Sequence, residues 1–476
     1  EPETPFRVCI LGDFSGRVNR GIFETGSALA SRRLLTVDRD NFDDVLAKLD
    51  VEIHLPIAGN DSSPVTIRFT ELDDFHPDRI FEHLEVFQAL KETRKKLEDP
   101  RTFESAAQPA PVPYISGLRT GSLLDQVLDE AEGRPPETGT LTDSSEWNAF
   151  LQRIVKPHLV PDVDPQQAEL VAAVDAAIAK LMRTILHHPD FQAIEAAWRG
   201  LYFLVSRLET GAELKLYLLD ISKAELSADL GATEDLRSTA TYRLLVEQTV
   251  ETPGAEPWAV LAGNYIFDET REHVKLLGRM AKIASHAGAP FISAANAHLL
   301  GCDSLAETPG PDDWQRPTDT KESQAWEALR RLPEASYISL ALPGFLLRLP
   351  YGAETDPIEQ FDFEEMTDVP HHDHYLWGNP SFACVCLLAQ AFTHYGWNLR
   401  PGVIQDIEGL PLHLYKEEGE SKVKACAEVV LTERAAEIIM ENGLMPLLSF
   451  RNQDTIRLAR FQSLADPLTP LAGRWG

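Results

Sequence analysis

Three imidazoles and a carboxylate stand together at His371-His372-Asp373-His374. These residue types are zinc donors. Consecutive residues, however, do not aim at one tetrahedral centre, and no partner ligand accompanies them at a metal-site spacing. Cys384 and Cys386 come ten or more residues later, in an apolar helical stretch where i and i+2 point to different sides. An exposed histidine loop is the better reading, with a metal-dependent enzyme at His371, His372, Asp373 and His374 the remote alternative. His187-His188-Pro189-Asp190 could supply a general base. It reads better as a helix terminus, with imidazoles near the last carbonyls and proline as a stop. Leu11-Gly12-Asp13-Phe14-Ser15-Gly16 has glycines after a strand, as phosphate loops do, but neither the Walker pattern nor dinucleotide spacing. A strand-to-loop turn explains it, and Gly263-Asn264-Tyr265 is equally weak. No Gly-x-Ser-x-Gly, His-Glu-x-x-His or spaced Cys-x-x-Cys pair occurs. No nucleophile–base set, cofactor site or metal site is therefore assigned, and the chain does not read as an enzyme.

More distinctive are Trp198-Arg199-Gly200-Leu201, Leu346-Leu347-Arg348-Leu349-Pro350-Tyr351-Gly352 and Tyr375-Leu376-Trp377-Gly378-Asn379. Each mixes large apolar groups with fixed polar ones. One reading is a ligand pocket. The other pairs Arg199 and Arg348 with acids and places the aromatics in a core or a subunit seam. That composition suits extensive protein–protein contact.

The wider sequence narrows the function classes. The chain has 476 residues, with 44 Lys+Arg against 74 Asp+Glu, a formal charge of −30. Nucleic acid and anionic membrane surfaces need a basic footprint, so neither is expected as a main partner. No run of about 18 apolar residues suggests a membrane-inserted helix. The acidic start, Glu1-Pro2-Glu3-Thr4-Pro5, lacks a signal-peptide core. Cys9, Cys302, Cys384, Cys386 and Cys426 are odd in number and scattered. They fit buried thiols in a reducing, cytoplasmic compartment.

The elements that must position these motifs read as α/β. Strands are expected at 6–11, 34–37, 51–55 and 65–69, a helix at 40–49, and a second helix from Pro77 with Ile80, Phe81, Leu84, Phe87 and Leu90 on one face. This describes a first domain over 1–106. Residues 107–165 are punctuated by prolines and read as a connector with short helices. From 166 to 476, helices at 166–186, 191–207, 269–286, 376–395 and 433–442 alternate with strands at 214–221, 258–263, 290–294, 337–342, 423–431 and 447–450. Such alternation argues a second domain with a mixed sheet.

At its motifs the chain resembles the contractile sheath proteins of type VI secretion systems. The run from Leu186 to Leu201, Thr252-Pro253-Gly254-Ala255-Glu256-Pro257-Trp258, Ala289-Pro290-Phe291-Ile292, the Arg348 and Trp377 motifs, and Phe450-Arg451-Asn452-Gln453-Asp454 with Gln462-Ser463-Leu464 resemble the large subunit, TssC, in the same order. Leu11-Gly12-Asp13-Phe14-Ser15-Gly16, Val37-Asp38-Arg39-Asp40-Asn41-Phe42-Asp43 and Leu72-Asp73-Asp74-Phe75-His76-Pro77-Asp78 resemble the small subunit, TssB. The tandem order reads as a small–large fusion, which fixes stoichiometry and raises the effective concentration of the halves.

The resemblance implies a structural protomer of a helical sheath around an inner tube. Neighbours would be linked by strand addition and would rearrange as rigid bodies on contraction. Its implied partners are other sheath subunits or copies of itself, the inner tube, the baseplate, and a AAA+ disassembly ATPase gripping a helix with Leu123, Leu124, Val127 and Leu128. A plain packed connector helix is the competing reading of that segment. Trp198, Arg199, Gly200, Arg348, Pro350, Tyr351, Tyr375, Trp377, Gly378 and Asn379 are implied structural positions. Sheath subunits normally carry an arm before the position of Phe6 and a region past Gln462-Ser463-Leu464. Their shortening here leaves the linking strands to another chain, or makes this a non-contractile cap, baseplate adaptor or regulator.

Overall fold

In Phe6-Arg7-Val8-Cys9-Ile10-Leu11-Gly12, which forms strand β1 (Phe6–Gly12), every residue is buried. A continuous apolar run of this kind suits a strand covered on both faces. The computed structural model describes residues 4–57, 64–98, 163–316, 318–366 and 370–475. Within it β1 lies inside a nine-stranded sheet of order β11-β15-β14-β8-β7-β6-β1-β5-β2. The other strands are β2 (Leu35–Val37), β5 (Leu214–Asp220), β6 (Val260–Phe267), β7 (Phe291–Ala295), β8 (Ile338–Leu342), β11 (Asp406–Ile407), β14 (Met445–Ser449) and β15 (Ile456–Leu458). The central strands are parallel and the outer ones antiparallel. Three small sheets complete the strand set: β3 (Val51–Leu55) with β4 (Val65–Phe69), β9 (Phe345–Leu346) with β10 (Trp377–Gly378), and β12 (His413–Glu417) with β13 (Glu420–Lys424).

Side chains on a strand alternate between faces, and β1 feeds two cores accordingly. Phe6, Val8 and Ile10 join the core under α5 (Val163–Leu186), α6 (Pro189–Arg207) and α10 (Pro380–Tyr395). Cys9 and Leu11 join the opposite core, under α7 (Lys223–Gly231), α8 (Arg271–Ala287), α9 (Lys321–Arg330) and α11 (Glu433–Glu441). The first core also takes in the β3–β4 hairpin, α2 (Phe42–Lys48), α3 (Pro77–His83) and α4 (Glu85–Glu98). A short α1 (Ser27–Ala30) puts Leu29 into the second. Helix α10 is buried almost all round, because it packs on β6, β7 and β8 with α6 beside it.

The α/β expectation holds. Within it the two regions share their main sheet rather than each closing its own: β1 and β2 from the first region flank β5 from the second. Local details also differ. The helix expected from Pro77 onward breaks at Leu84, whose backbone is extended, so α3 and α4 turn their apolar residues into the core at different angles. The helix expected from residue 376 starts at Pro380, because Trp377 and Gly378 pair with Leu346 and Phe345 instead. The strand expected at 423–431 ends at Lys424. It is the second arm of a hairpin whose two turn residues, Glu418 and Gly419, both have positive φ. That geometry matches the twist of paired strands, but glutamate is a weak signal for it. The strand expected last, β14, is followed by β15.

Candidate functional site

The loop after β1 is built from carboxylates. Asp13 accepts from the backbone N–H groups of Gly16, Arg17 and Val18 at 2.9, 2.8 and 2.8 Å, closing a tight turn. Gly16 has φ +78°, and a Cβ there would lie 2.3 Å from the Glu52 carbonyl oxygen. Gly16 therefore serves a close backbone approach, whereas Gly12 makes room for the Phe14 and Asn264 side chains. Asp220, at the end of β5, accepts from the N–H groups of Phe14 and Ser15 and from the Ser15 hydroxyl at 2.8, 3.2 and 2.7 Å.

Behind this turn, Arg17 and Arg32 converge on Glu225 in the first turn of α7, at 3.2 and 2.6 Å. Glu225 has no exposure and also accepts from the N–H groups of Ser222 and Glu24. Burial alone would raise its pKa. The Arg32 fork and the two N–H donors outweigh that and hold it down at about 2. The cluster joins two cations of the first region to two acids of the second. β1 itself pairs with β5 from Phe6↔Leu214 through Gly12↔Asp220, and with β6 from Val8↔Val260 through Leu11↔Gly263.

A second buried cluster centres on Arg348. Its Nε donates to Glu195 at 2.8 Å and its Nη1 to Glu365 at 2.7 Å. Arg199 donates to Glu195 at 2.7 Å and to the Tyr351 hydroxyl at 2.9 Å. Two cations and two carboxylates balance. For Glu365, burial pushes upward, but Arg348, His187 and the Tyr351 N–H bring it down to about 2. Burial pushes the Tyr351 hydroxyl up to about 12, against the pull of Arg199 and Arg348. The His187 ring stacks flat on His374 with centroids 3.8 Å apart. Arg199 and Arg348 are thus paired with acids, as the sequence suggested.

The unit His-Pro-Asp occurs twice and does the same local job. His76 and His188 each accept from the N–H of the aspartate two residues on, with proline in the first helical turn. Pro189 thus begins α6 where the sequence suggested only a stop. The aspartates then reach across the regions. Asp78 accepts from the N–H groups of Glu359 and Gln360, each at 3.0 Å, and Asp190 accepts from Asn19 at 2.8 Å.

The remaining motif residues scatter around these clusters. Trp198 is fully buried, and its Nε1 donates to the Phe14 carbonyl at 2.8 Å. A Cβ on Gly200 would lie 2.4 Å from the Phe382 ring, so this glycine lets α6 and α10 touch. Pro350 accepts from the Thr355 hydroxyl at 2.6 Å. Tyr375 bonds to His413 at 2.7 Å, and Trp377 is half-buried and donates to the His372 carbonyl. Gly378 lies against the Leu347 side chain, and Asn379 caps α10 while donating to the Tyr265 carbonyl at 2.9 Å. The four residues from His371 to His374 do not converge. His371 is exposed, His372 stacks on Trp377, and His374 stacks on His187. Among the described residues no group of three or more His, Cys, Asp or Glu is arranged to hold a metal ion. Leu123, Leu124, Val127 and Leu128 lie outside the described residues. No described helix is long and apolar enough to cross a membrane.

In these clusters charged groups are neutralised by fixed partners, and the partners come from distant segments. Sequence reasoning missed Glu195, Glu365, Asp220, Glu225, Arg17 and Arg32. A usable signal existed at Glu195, a carboxylate on the apolar face of α6 between Ile194 and Ala197.

Comparison with known proteins agrees with this picture. Residues 168–465 match the family described as VipB, EvpB/VC_A0108, tail sheath N-terminal domain. Residues 1–104 match the family described as Type VI secretion system, VipA, VC_A0107 or Hcp2. The type VI secretion system sheath protein TssC1 of Pseudomonas aeruginosa is 39% identical over 306 residues, covering 63% of this chain and 61% of that protein. The sheath protein TssB1 of the same organism is 24% identical over 139 residues, covering 28% of this chain and 78% of that protein. The chain thus spans 61% of the length of TssC1.

Proposed function

The chain belongs to the type VI secretion sheath family, with a TssB-like region and a TssC-like region in one polypeptide, and from that premise we propose that it is a structural protomer of a sheath or sheath-like helical assembly around an inner tube. The observation that carries this reading is the position of β1. The first region contributes an interior strand to the sheet of the second, so the two halves share one sheet within the protomer. A sheath that rearranges by rigid-body motion needs such a protomer. Strand addition has suitable places on this chain: the short edges β2 and β11, and the two-stranded β12–β13 ribbon, whose Leu414 is exposed.

In this reading the chain works in the cytoplasm without a catalytic step. Its partners are other sheath protomers, the tube and the baseplate, with a disassembly ATPase engaging the segment around Leu123, Leu124, Val127 and Leu128. Negative-stain electron microscopy of the purified chain, alone and with proteins encoded beside it, tests the proposal. Hollow helical tubes are expected. Discrete particles in both samples would overturn it.

A further inference from the structure

Lys223, His273 and Asp268 form a hydrogen-bonded chain that the sheath reading does not use. The Lys223 amine lies 2.8 Å from His273 Nε2, and His273 Nδ1 lies 2.6 Å from an Asp268 carboxylate oxygen. A carboxylate only accepts and the amine donates, so Nδ1 carries the proton toward Asp268 at 2.6 Å in preference to accepting from the Asp268 N–H at 3.3 Å, and Nε2 presents its lone pair to the amine. The imidazole is oriented as a base for Lys223, with Asp268 fixing its tautomer. Asp268 is itself held by the Thr270 N–H at 2.9 Å.

The surroundings favour a neutral amine. Lys223 is the first residue of α7, a nine-residue helix whose positive end disfavours a cation there. Against this, the Phe267 ring centre 5.6 Å from the amine and the Ile266 carbonyl, which accepts from it at 2.8 Å, favour the cation. Burial lowers its pKa, against the opposing pull of Asp268 and Glu272. Lys223 keeps partial exposure, so a small reagent reaches it. The three groups gather where β5 and β6 end, at the carboxyl edge of the parallel strands, where α/β sheets place their sites.

We propose that Lys223 is an acylation site: a reactive amine that accepts an acyl group from small activated donors, acyl phosphates or thioesters, with His273 as its base. The Nζ lone pair attacks the acyl carbon, forming the C–N bond. The bond from that carbon to the phosphate oxygen or thiol sulfur breaks, and the leaving group takes the electron pair. The amine proton passes to His273 Nε2 and then to solvent. No oxidant, reductant or metal takes part. The product amide carries no charge, so the modification removes a cation from the start of α7.

The test is site-resolved mass spectrometry of the full chain incubated with acetyl phosphate. Exposed Lys48 and Lys416 are the internal references. A base in contact with the amine and a lowered pKa both leave more of it free at neutral pH, so Lys223 should label several-fold faster than either reference. His273→Gln should cut the Lys223 rate several-fold and leave Lys48 unchanged. Labelling of Lys223 no faster than Lys48 and Lys416 in the unaltered chain would overturn the proposal without any variant. An unchanged Lys223 rate in a folded His273→Gln protein would overturn the role of the base. Both readouts are independent of whether the chain assembles into tubes.

Discussion

Arg348 and Glu195, 153 residues apart in sequence, meet at 2.8 Å with 7% and 0% of their side chains exposed. The pair ties α6 to the segment after β9, and Glu365 completes it from the other side. Removing the cation would leave two buried carboxylates with Arg199 as their one fixed guanidinium partner, and Glu365 with only His187 and the Tyr351 N–H. Arg348→Met should therefore lose about 3–5 kcal/mol. Urea unfolding followed by near-ultraviolet circular dichroism would measure it, and a loss under about 1 kcal/mol would contradict the enclosed, paired geometry.

The same clusters make the protein sensitive to acid. Glu365 and Glu225 are held at about 2, below the ordinary 4.5, so their stabilisation is present above 4.5 and fades as pH falls toward 2. His374 and His413 are shifted down from 6.5, chiefly by burial, so the unfolded chain takes up protons first. Their contribution is lost as pH falls below 6.5. The signs agree: unfolding midpoints should drop on acidification, gently below 6.5 and steeply below 4.5. A midpoint that rises on acidification would refute the assignment.

Trp198 should matter more than Trp377. Trp198 is fully buried, with its ring edge-on to Phe14 and Phe42, whereas Trp377 is half-buried. Trp198→Ala should cost about 3–5 kcal/mol. Trp377→Ala should cost clearly less. Equal losses in parallel denaturation curves would contradict the burial difference.

Gly200 tests the contact between α6 and α10. Ala raises helix propensity, so on an open helix face the substitution would stabilise. Here the added methyl meets the Phe382 ring at 2.4 Å. Gly200→Ala should instead cost about 1–3 kcal/mol. A raised melting temperature would show that the helices have room.

Cutting the chain within 107–162 should not separate the halves. β1 lies between β5 and β6, and the Arg17–Arg32–Glu225 cluster bridges the two regions independently of the connection. With a protease site introduced there, the cleaved halves should co-elute on size exclusion under native conditions. Release of a free amino-terminal fragment would contradict the shared sheet.

Much of this was legible in the sequence. Helical patterning in 170–186, 191–207 and 269–286 reports which face of a helix meets a core, and that information is local. The apolar run at 6–11 marked a strand leading into a turn. The ordered motifs marked the sheath family, and Arg199 and Arg348 asked for acids. Tertiary structure alone decided which acids answered and where β1 would lie. Parallel pairing joins β1 to β5 and to β6, 208 and 252 residues further along the chain (Phe6↔Leu214, Val8↔Val260), and no periodicity encodes that choice of neighbour. Glu195, Glu365 and Glu225 look like other acids in a chain of charge −30. Burial singles them out, because an enclosed carboxylate must be matched by a fixed donor while an exposed one need not be.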